Sequence, residues 1–136
     1  MSNENEEGTN FQLDFQKMKK IAGIEVDVIP CVVQHAETGQ VLILAYVNEE
    51  ALAYSLEHRV ATFWSTSRNE LWIKGATSGD TLQLEDILVN CEQNSLVYKV
   101  TPLGKGACHT KDENGEPRQT CYYRRINFDT GDLEFI

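Results

Sequence analysis

Short apolar runs separated by turn residues are the feature that most constrains the fold of this chain. The run at 41–46 follows a turn at 37–40, and residues 26–33 before that turn are rich in valine. Such runs are typical of strands, and this pair predicts a β-hairpin. Further strands are predicted at 61–64, 71–74, 81–84, 95–100, 122–128 and 133–136.

One segment has clear helical spacing. Asn48 is a good N-cap, Glu49 and Glu50 favour the positive end of the helix dipole, and Leu52 and Leu56 lie four residues apart. These signals predict a helix over 48–57. The predicted fold class is therefore mainly β (α+β), a compact antiparallel or mixed β domain with one or two helices.

The chain divides into an arm and a domain. Residues 1–20 begin with an acidic stretch poor in hydrophobic residues, which is typical of a flexible N-terminal arm. The apolar residues at 11–21 suggest a short docked helix or strand. Residues 21–136 are enough for a single domain with its own core.

Composition narrows the function classes. The formal net charge of −9 argues against a nucleic-acid partner, although a few cations in one pocket can still bind a phosphorylated small molecule. No apolar run approaches the roughly 20 residues that span a bilayer, so no membrane partner is expected. The N-terminus resembles neither a signal peptide nor a transit peptide, and we expect a cytoplasmic protein.

The four cysteines are Cys31, Cys91, Cys108 and Cys121, and none forms a C-x-x-C pair. In a reducing compartment, metal binding or catalysis is the alternative to plain burial as small hydrophobic residues. Spacing alone favours burial, and Cys31, in an apolar stretch, is predicted to be a core residue.

The other three cysteines come from separate segments and would make a three-thiolate zinc site with an open fourth position, as catalytic zinc requires. Three thiolates more than cancel the zinc charge, so a nearby general base becomes valuable. His109, next to Cys108, is well placed for that role. The alternative is that the neighbouring histidine is incidental.

Residues 64–79 concentrate two cations, several hydroxyls and two glycines. Arg68 and Lys74 with hydroxyls and backbone N–H groups are what a phosphate needs, and Trp64 and Trp72 could offer faces to a purine. The alternative is that both tryptophans are core residues and Arg68 is a surface charge. Composition alone favours that alternative.

Over residues 23–125 the chain resembles the phosphoribosyl-AMP cyclohydrolase family. The matching motifs are Thr38-Gly39-x-Val41-Leu42-x-Leu44-Ala45-Tyr46-x-Asn48-x-Glu50-Ala51-Leu52, Trp64-Ser65-x-Ser67-Arg68, Leu71-Trp72-x-Lys74-Gly75-x-Thr77-Ser78-Gly79 and Gly106-x-Cys108-His109-Thr110.

The resemblance implies a mainly β fold that forms a tight homodimer, with zinc held by cysteines of both subunits. It assigns zinc binding to Cys91, Cys108 and Cys121, and proton transfer to His109. Its candidates for holding the substrate are Ser67, Arg68, Lys74, Thr77 and Ser78, to which Trp64 is added as a purine contact.

Three departures from the family pattern stand out. The family usually has aspartates, attributed to magnesium, where this chain has Asn90, Glu92 and Asn94. We therefore expect a weak magnesium site at most. The family's usual arginine between the two serines is Thr66 here. The stretch 109–120 is about twice the usual length, which indicates an inserted loop at 111–119.

The resemblance predicts a zinc-dependent hydrolase that opens the N1–C6 bond of phosphoribosyl-AMP, giving the formimino-carboxamide ribotide of L-histidine biosynthesis. In this hypothesis His109 helps to deprotonate the attacking water. Two alternatives stay open. One is a related zinc hydrolase acting on another purine ribotide, and the other is a non-catalytic, zinc-stabilised binding module.

Overall fold

A four-stranded mixed sheet forms the centre of the molecule in a computed structural model that describes residues 4–136. The sheet order is β2-β1-β6-β5. Strands β1 (Ile29–His35) and β2 (Val41–Val47) form the predicted antiparallel hairpin, while β5 (Leu82–Val89) pairs antiparallel with β6 (Leu96–Pro102). The two halves join through a parallel pairing of β1 with β6.

Two small antiparallel sheets complete the strand content. Strand β3 (Thr62–Ser65) pairs with β4 (Glu70–Ile73), and β7 (Arg124–Ile126) pairs with β8 (Leu133–Phe135). The mainly β class and the mixed pairing predicted from the sequence are confirmed.

The described part of the chain contains three helices rather than one or two. These are α1 (Glu4–Glu7), α2 (Lys17–Ala22) and α3 (Glu49–His58). Helix α3 confirms the predicted one, because the side chain of Asn48 accepts a hydrogen bond from the backbone N–H of Ala51 at 2.9 Å. The C-cap of the helix is Arg59, whose φ of 57° is left-handed.

The hydrophobic core lies between the central sheet, α3 and β3. Ala51 of α3, Phe63 of β3 and Tyr98 of β6 are fully buried in it. Cys31 is also fully buried, as predicted, and burial raises the pKa of its thiol to about 12, so this cysteine is neutral. Cys31 is therefore a packing residue of the central sheet.

The beginning of the described chain contacts the C-terminal hairpin. The backbone N–H of Leu133 donates to the carbonyl oxygen of Thr9 at 2.9 Å, and Arg124 donates to carbonyl oxygens of Asn5 and Gly8. The division of the chain at residue 20 stays a prediction. Among residues 4–136, no helix has the length and apolar character needed to cross a bilayer.

Replacing Asn48 by alanine should lower the free energy of unfolding by about 1 kcal/mol, because the first turn of α3 loses its side-chain acceptor. Asn48→Asp keeps an acceptor and should stay close to the wild type. Urea unfolding followed by circular dichroism measures the difference, with Asn114→Ala in an exposed turn as the control. Equal losses in Asn48→Ala and Asn114→Ala would contradict the capping role.

Candidate active site

A cavity of about 690 Å³ lies between β4, the turn that follows it and the segment around Cys108. Besides Trp72, its walls bring together six of the residues that the family resemblance assigns to the site. They are Arg68, Lys74, Thr77, Ser78, Cys108 and His109. Cations, hydroxyls, a thiol and an imidazole therefore share one space.

The turn after β4 is held by Gly75. Its φ of +79° is left-handed, and a Cβ there would collide with the backbone of Asp80 and Thr81. The backbone N–H of Gly79 donates to the carbonyl oxygen of Gly75 at 2.9 Å, which closes the turn. This tight turn exposes the hydroxyl-bearing residues 77–78 to the cavity.

Lys74 is the buried cation of the site, with 8% of its surface exposed. Burial lowers the pKa of its ammonium group, whereas the nearby Asp80, Cys121 and Cys108 act in the opposite direction. The ammonium group therefore lies close enough to the two cysteines to offset negative charge on their sulfurs.

Asp80 is a cavity residue that the sequence analysis did not single out. Besides lining the cavity, its Oδ1 accepts a hydrogen bond from the backbone N–H of Lys105 at 2.8 Å. The available signal was its position directly after Ser78 and Gly79, the last residues of the motif that the sequence analysis quoted.

Cys108 and Cys121 form a hydrogen-bonded thiol pair. The hydrogen bond from Cys121 is the main cause that lowers the pKa of Cys108 to about 5; burial opposes this, and contacts with Thr110 assist it. The same interaction, together with burial, raises the pKa of Cys121. The interaction therefore favours a thiolate on Cys108 and a protonated thiol on Cys121.

Backbone hydrogen bonds fix where these two cysteines lie. The N–H of Cys108 donates to the carbonyl oxygen of Arg118 at 3.0 Å, and the N–H of Cys121 donates to that of Leu42 on β2 at 2.8 Å. The hydroxyl of Thr120 donates to the carbonyl oxygen of Val41 at 2.7 Å. The long stretch between the cysteines thus folds back and ends against the central sheet.

Cys91 does not join the pair. It is exposed in the connection between β5 and β6. Within residues 4–136 of a single chain, no group of three or more histidine, cysteine, aspartate or glutamate side chains is placed to hold a metal ion. One chain therefore brings together two of the three cysteines predicted to bind zinc, and the zinc role of all three stays a prediction.

The residues of the predicted magnesium site hydrogen-bond to one another. The Asn90 amide donates to Oδ1 of Asn94 at 2.7 Å, and Asn90 Oδ1 accepts from the backbone N–H groups of Asn94 and Ser95. The Asn94 amide donates to Glu92 Oε2 at 3.2 Å. Both amide oxygens are therefore already used as acceptors that close this connection.

Ser67 and Trp64 line a neighbouring cavity of about 210 Å³ rather than the larger one. The indole N–H of Trp64 donates to Oδ1 of Asn69 at 3.0 Å, and the hydroxyl of Ser67 lies 3.4 Å from that of Ser65. Trp72 lines both cavities. The predicted substrate residues therefore fall into two adjacent groups.

His109 lies at the wall of the larger cavity with 79% of its side chain exposed. Its Nε2 is 3.2 Å from Oε1 of Glu6 in α1. Glu6 is a second residue that the sequence analysis did not single out, and no local sequence signal connects it with His109.

The fold and the site define a small, mainly β protein with a thiol pair and a buried lysine beside a cavity suited to an anionic ligand. A model of the phosphoribosyl-AMP cyclohydrolase family matches residues 43–123. The chain belongs to this family.

Curated relatives from three organisms agree with this family. A phosphoribosyl-AMP cyclohydrolase of Chlorobium phaeovibrioides is 38% identical over 90% of this chain and 84% of its own length. One from Methanothermobacter thermautotrophicus is 46% identical over 76% of this chain and 70% of its own. A histidine biosynthesis bifunctional protein of Thermus thermophilus is 46% identical over 82% of this chain, which covers 49% of that protein.

We expect the free protein to bind magnesium weakly or not at all. Hard cations prefer anionic oxygens, and Glu92 is the one carboxylate of the 90–94 motif. Replacing both Asn90 and Asn94 by aspartate should strengthen binding, because it adds two charges at short range where screening is weakest. Calorimetric titration of metal-depleted, zinc-reloaded protein measures the affinity.

Asn114→Asp adds a charge in an exposed turn elsewhere and should leave magnesium binding unchanged. Tight binding by the unmodified protein without substrate would overturn this expectation. It would mean that Glu92 and the two amides rebuild the site.

Proposed function

We propose that this protein hydrolyses the N1–C6 bond of phosphoribosyl-AMP and opens its purine ring to the formimino-carboxamide ribotide, a step of L-histidine biosynthesis. The observation that carries the proposal is the meeting of Lys74, His109 and Cys108 around one cavity, with Cys121 in contact with Cys108. Membership of the cyclohydrolase family supports the choice of substrate. A cytoplasmic location is part of the proposal.

Zinc fits the donor set as the metal of this site. Zinc binds thiolates, and the pair of Cys108 and Cys121 already carries one thiolate at neutral pH. When bound, zinc supplies Lewis acidity that makes water a better nucleophile at neutral pH. In this proposal the third ligand is Cys91 of a second copy, and the protein works as a homodimer with shared sites.

The exposure of Cys91 supports that arrangement. A thiol on the outer surface of the β5–β6 connection can reach a neighbouring chain, whereas the buried Cys31 cannot. The pair at Cys108 and Cys121 has no third sulfur from its own chain, within residues 4–136, to complete it. In the proposed homodimer, a second copy of the chain supplies the third sulfur, that of Cys91.

The cavity residues bind and orient the substrate. The Arg68 and Lys74 side chains and the hydroxyls of Thr77 and Ser78 are suited to phosphate oxygens, since charged hydrogen bonds are the strongest available. Ser67 and Trp64 extend this surface from the smaller cavity. We assign Ser67 to phosphate and Trp64 to the purine face.

His109 moves the proton. Its imidazole accepts a proton as the water oxygen bonds to C6, and it returns a proton to N1 as the N1–C6 bond breaks. The reaction adds one water, whose oxygen becomes the carboxamide oxygen on C6, while one of its protons ends on N1 and the other on the exocyclic nitrogen. Its place beside Cys108 at the cavity wall brings the base to the metal side of the site.

Turnover of phosphoribosyl-AMP, followed by ultraviolet absorbance, tests the function directly. We expect ring opening that chelators abolish and added zinc restores, with little dependence on magnesium. No turnover by zinc-loaded protein would contradict the proposal. Turnover of a different purine ribotide would then favour a related hydrolase, and zinc without turnover of any ribotide would favour a binding module.

One zinc per chain should be retained on purification, and Cys91→Ser should lower the zinc content sharply because a ligand is lost. The matched control Cys31→Ser should leave the zinc content unchanged, since Cys31 is a buried cysteine that packs in the core. Elemental analysis of both variants decides the matter. Full zinc content in Cys91→Ser would remove Cys91 from the site.

Replacing His109 by asparagine should reduce turnover by about 10²–10⁴-fold, the range for losing general acid–base help. Zinc content should stay that of the unmodified protein. The same absorbance assay, with elemental analysis on each preparation, measures both quantities. Loss of zinc would instead make His109 a ligand, and an unchanged rate would place the base elsewhere.

A further inference from the structure

The residues at 5–9, which we call the N-terminal strap, are bound to the C-terminal part of the chain by a charged clamp. Arg118 donates two hydrogen bonds to the carboxylate of Glu7, at 2.7 and 2.9 Å. Its guanidinium also lies over the ring of Tyr123, 4.1 Å from the centroid. Because only 14% of the Arg118 side chain is exposed, water competes weakly for this two-point ion pair.

Backbone contacts hold the strap independently of that ion pair. Arg124 donates to the carbonyl oxygens of Asn5 at 2.6 Å and Gly8 at 2.8 Å. The hydroxyl of Tyr123 donates to the carbonyl oxygen of Glu6 at 2.7 Å. The strap is therefore fixed on both sides of Glu6, and at Glu6 itself.

This anchoring decides what the Glu6 side chain can do. Its Oε1 lies 3.2 Å from Nε2 of His109. An isolated exposed ion pair is worth little, largely because ordering two long side chains costs entropy. Here the backbone of Glu6 is already ordered by other bonds, so its contact with the imidazole avoids much of that cost.

The contact also distinguishes the two ring nitrogens. Of the two ring nitrogens, Nε2 is the one that faces the carboxylate, which is a strong hydrogen-bond acceptor. The strap does not fill the 690 Å³ cavity, since none of residues 5–9 lines it. Glu6 thus orients the ring from outside and leaves the cavity open.

We propose that Glu6, held by the clamped N-terminal strap, is a positioning residue that fixes the ring orientation of His109 at the wall of the cavity. This inference rests on the proposed function, in which His109 is the base. It gives the acidic N-terminal segment and Arg118 of the inserted loop a shared role in orienting the base.

Kinetics of the full-length, zinc-loaded protein with phosphoribosyl-AMP test the proposal. Glu6→Ala should lower kcat by about 10-fold with KM nearly unchanged, the low end of the range for partners that orient a functional histidine. Glu6→Gln keeps an acceptor oxygen and should recover most of the rate. Glu4→Ala removes a carboxylate from the same helix and should match the unmodified protein.

A double variant shows whether Glu6 acts through His109. In the His109→Asn background, Glu6→Ala should cause no further loss, because the group it orients is gone. Glu7→Ala, which opens the clamp, should reproduce part of the Glu6→Ala loss. An unchanged kcat in Glu6→Ala, or an equal further loss in the double variant, would overturn the proposal.

Nitrogen-15 spectra of the histidine rings separate this proposal from the function itself. The chain has three histidines, and His109→Asn identifies the His109 signals. The unmodified protein should show the Nε2–H form, and Glu6→Ala should change the His109 signals while Glu4→Ala does not. Unchanged signals in Glu6→Ala would refute the contact. Absent turnover with the expected ring signals would instead refute the proposed hydrolysis and leave the contact between Glu6 and His109 in place.

Discussion

The candidate site depends on the attachment of the Cys121 segment to the backbone of β2. The N–H of Cys121 and the hydroxyl of Thr120 donate to the carbonyl oxygens of Leu42 and Val41, in a strand that is itself fixed by its pairing with β1. Cys108 begins the loop that leads to Cys121. Its N–H donates to the carbonyl oxygen of Arg118, near the end of the loop, so the loop folds back on itself. Lengthening such a loop costs little closure entropy, so a long connection is compatible with two adjacent thiols.

Placing two thiols together beside a buried lysine has electrostatic consequences. Negative charge on the sulfurs is stabilised by the hydrogen bond within the pair and offset by Lys74, whose burial in turn lowers its own pKa. Gly75 supplies the left-handed turn that brings Lys74 and the following hydroxyls to the same cavity. Thiol groups that could bind a metal and groups suited to an anionic ligand are therefore adjacent, which is the arrangement that the proposed hydrolysis needs.

Local signals predicted the hairpin and α3 because a turn at 37–40 and the N-cap at Asn48 act within a few residues. The parallel pairing of β1 with β6 could not be predicted in this way, because it joins segments far apart in the sequence. The predicted end of β5 at Leu84 was too early, because the strand continues through a register shift at acidic residues that interrupt the alternation of apolar and polar positions. The motifs predicted that Lys74 and His109 belong to one site, and both line the larger cavity. Ser67 and Trp64, assigned to the same site, line the smaller cavity beside it. Glu6 and His109 are 103 positions apart in the sequence, and no local sequence pattern predicts a contact over such a separation.

The central claim is that the Cys108–Cys121 pair of one chain is completed as a zinc site by Cys91 of another. Co-expression of the Cys91→Ser and Cys108→Ser variants, each zinc-poor alone, tests it most directly. Elemental analysis is made on the whole preparation, in which about half of the dimers are mixed. Random pairing leaves one intact site in each mixed dimer, so the preparation should regain about a quarter of the normal zinc content and turnover. Mixed dimers with no more zinc than either variant alone would contradict the claim.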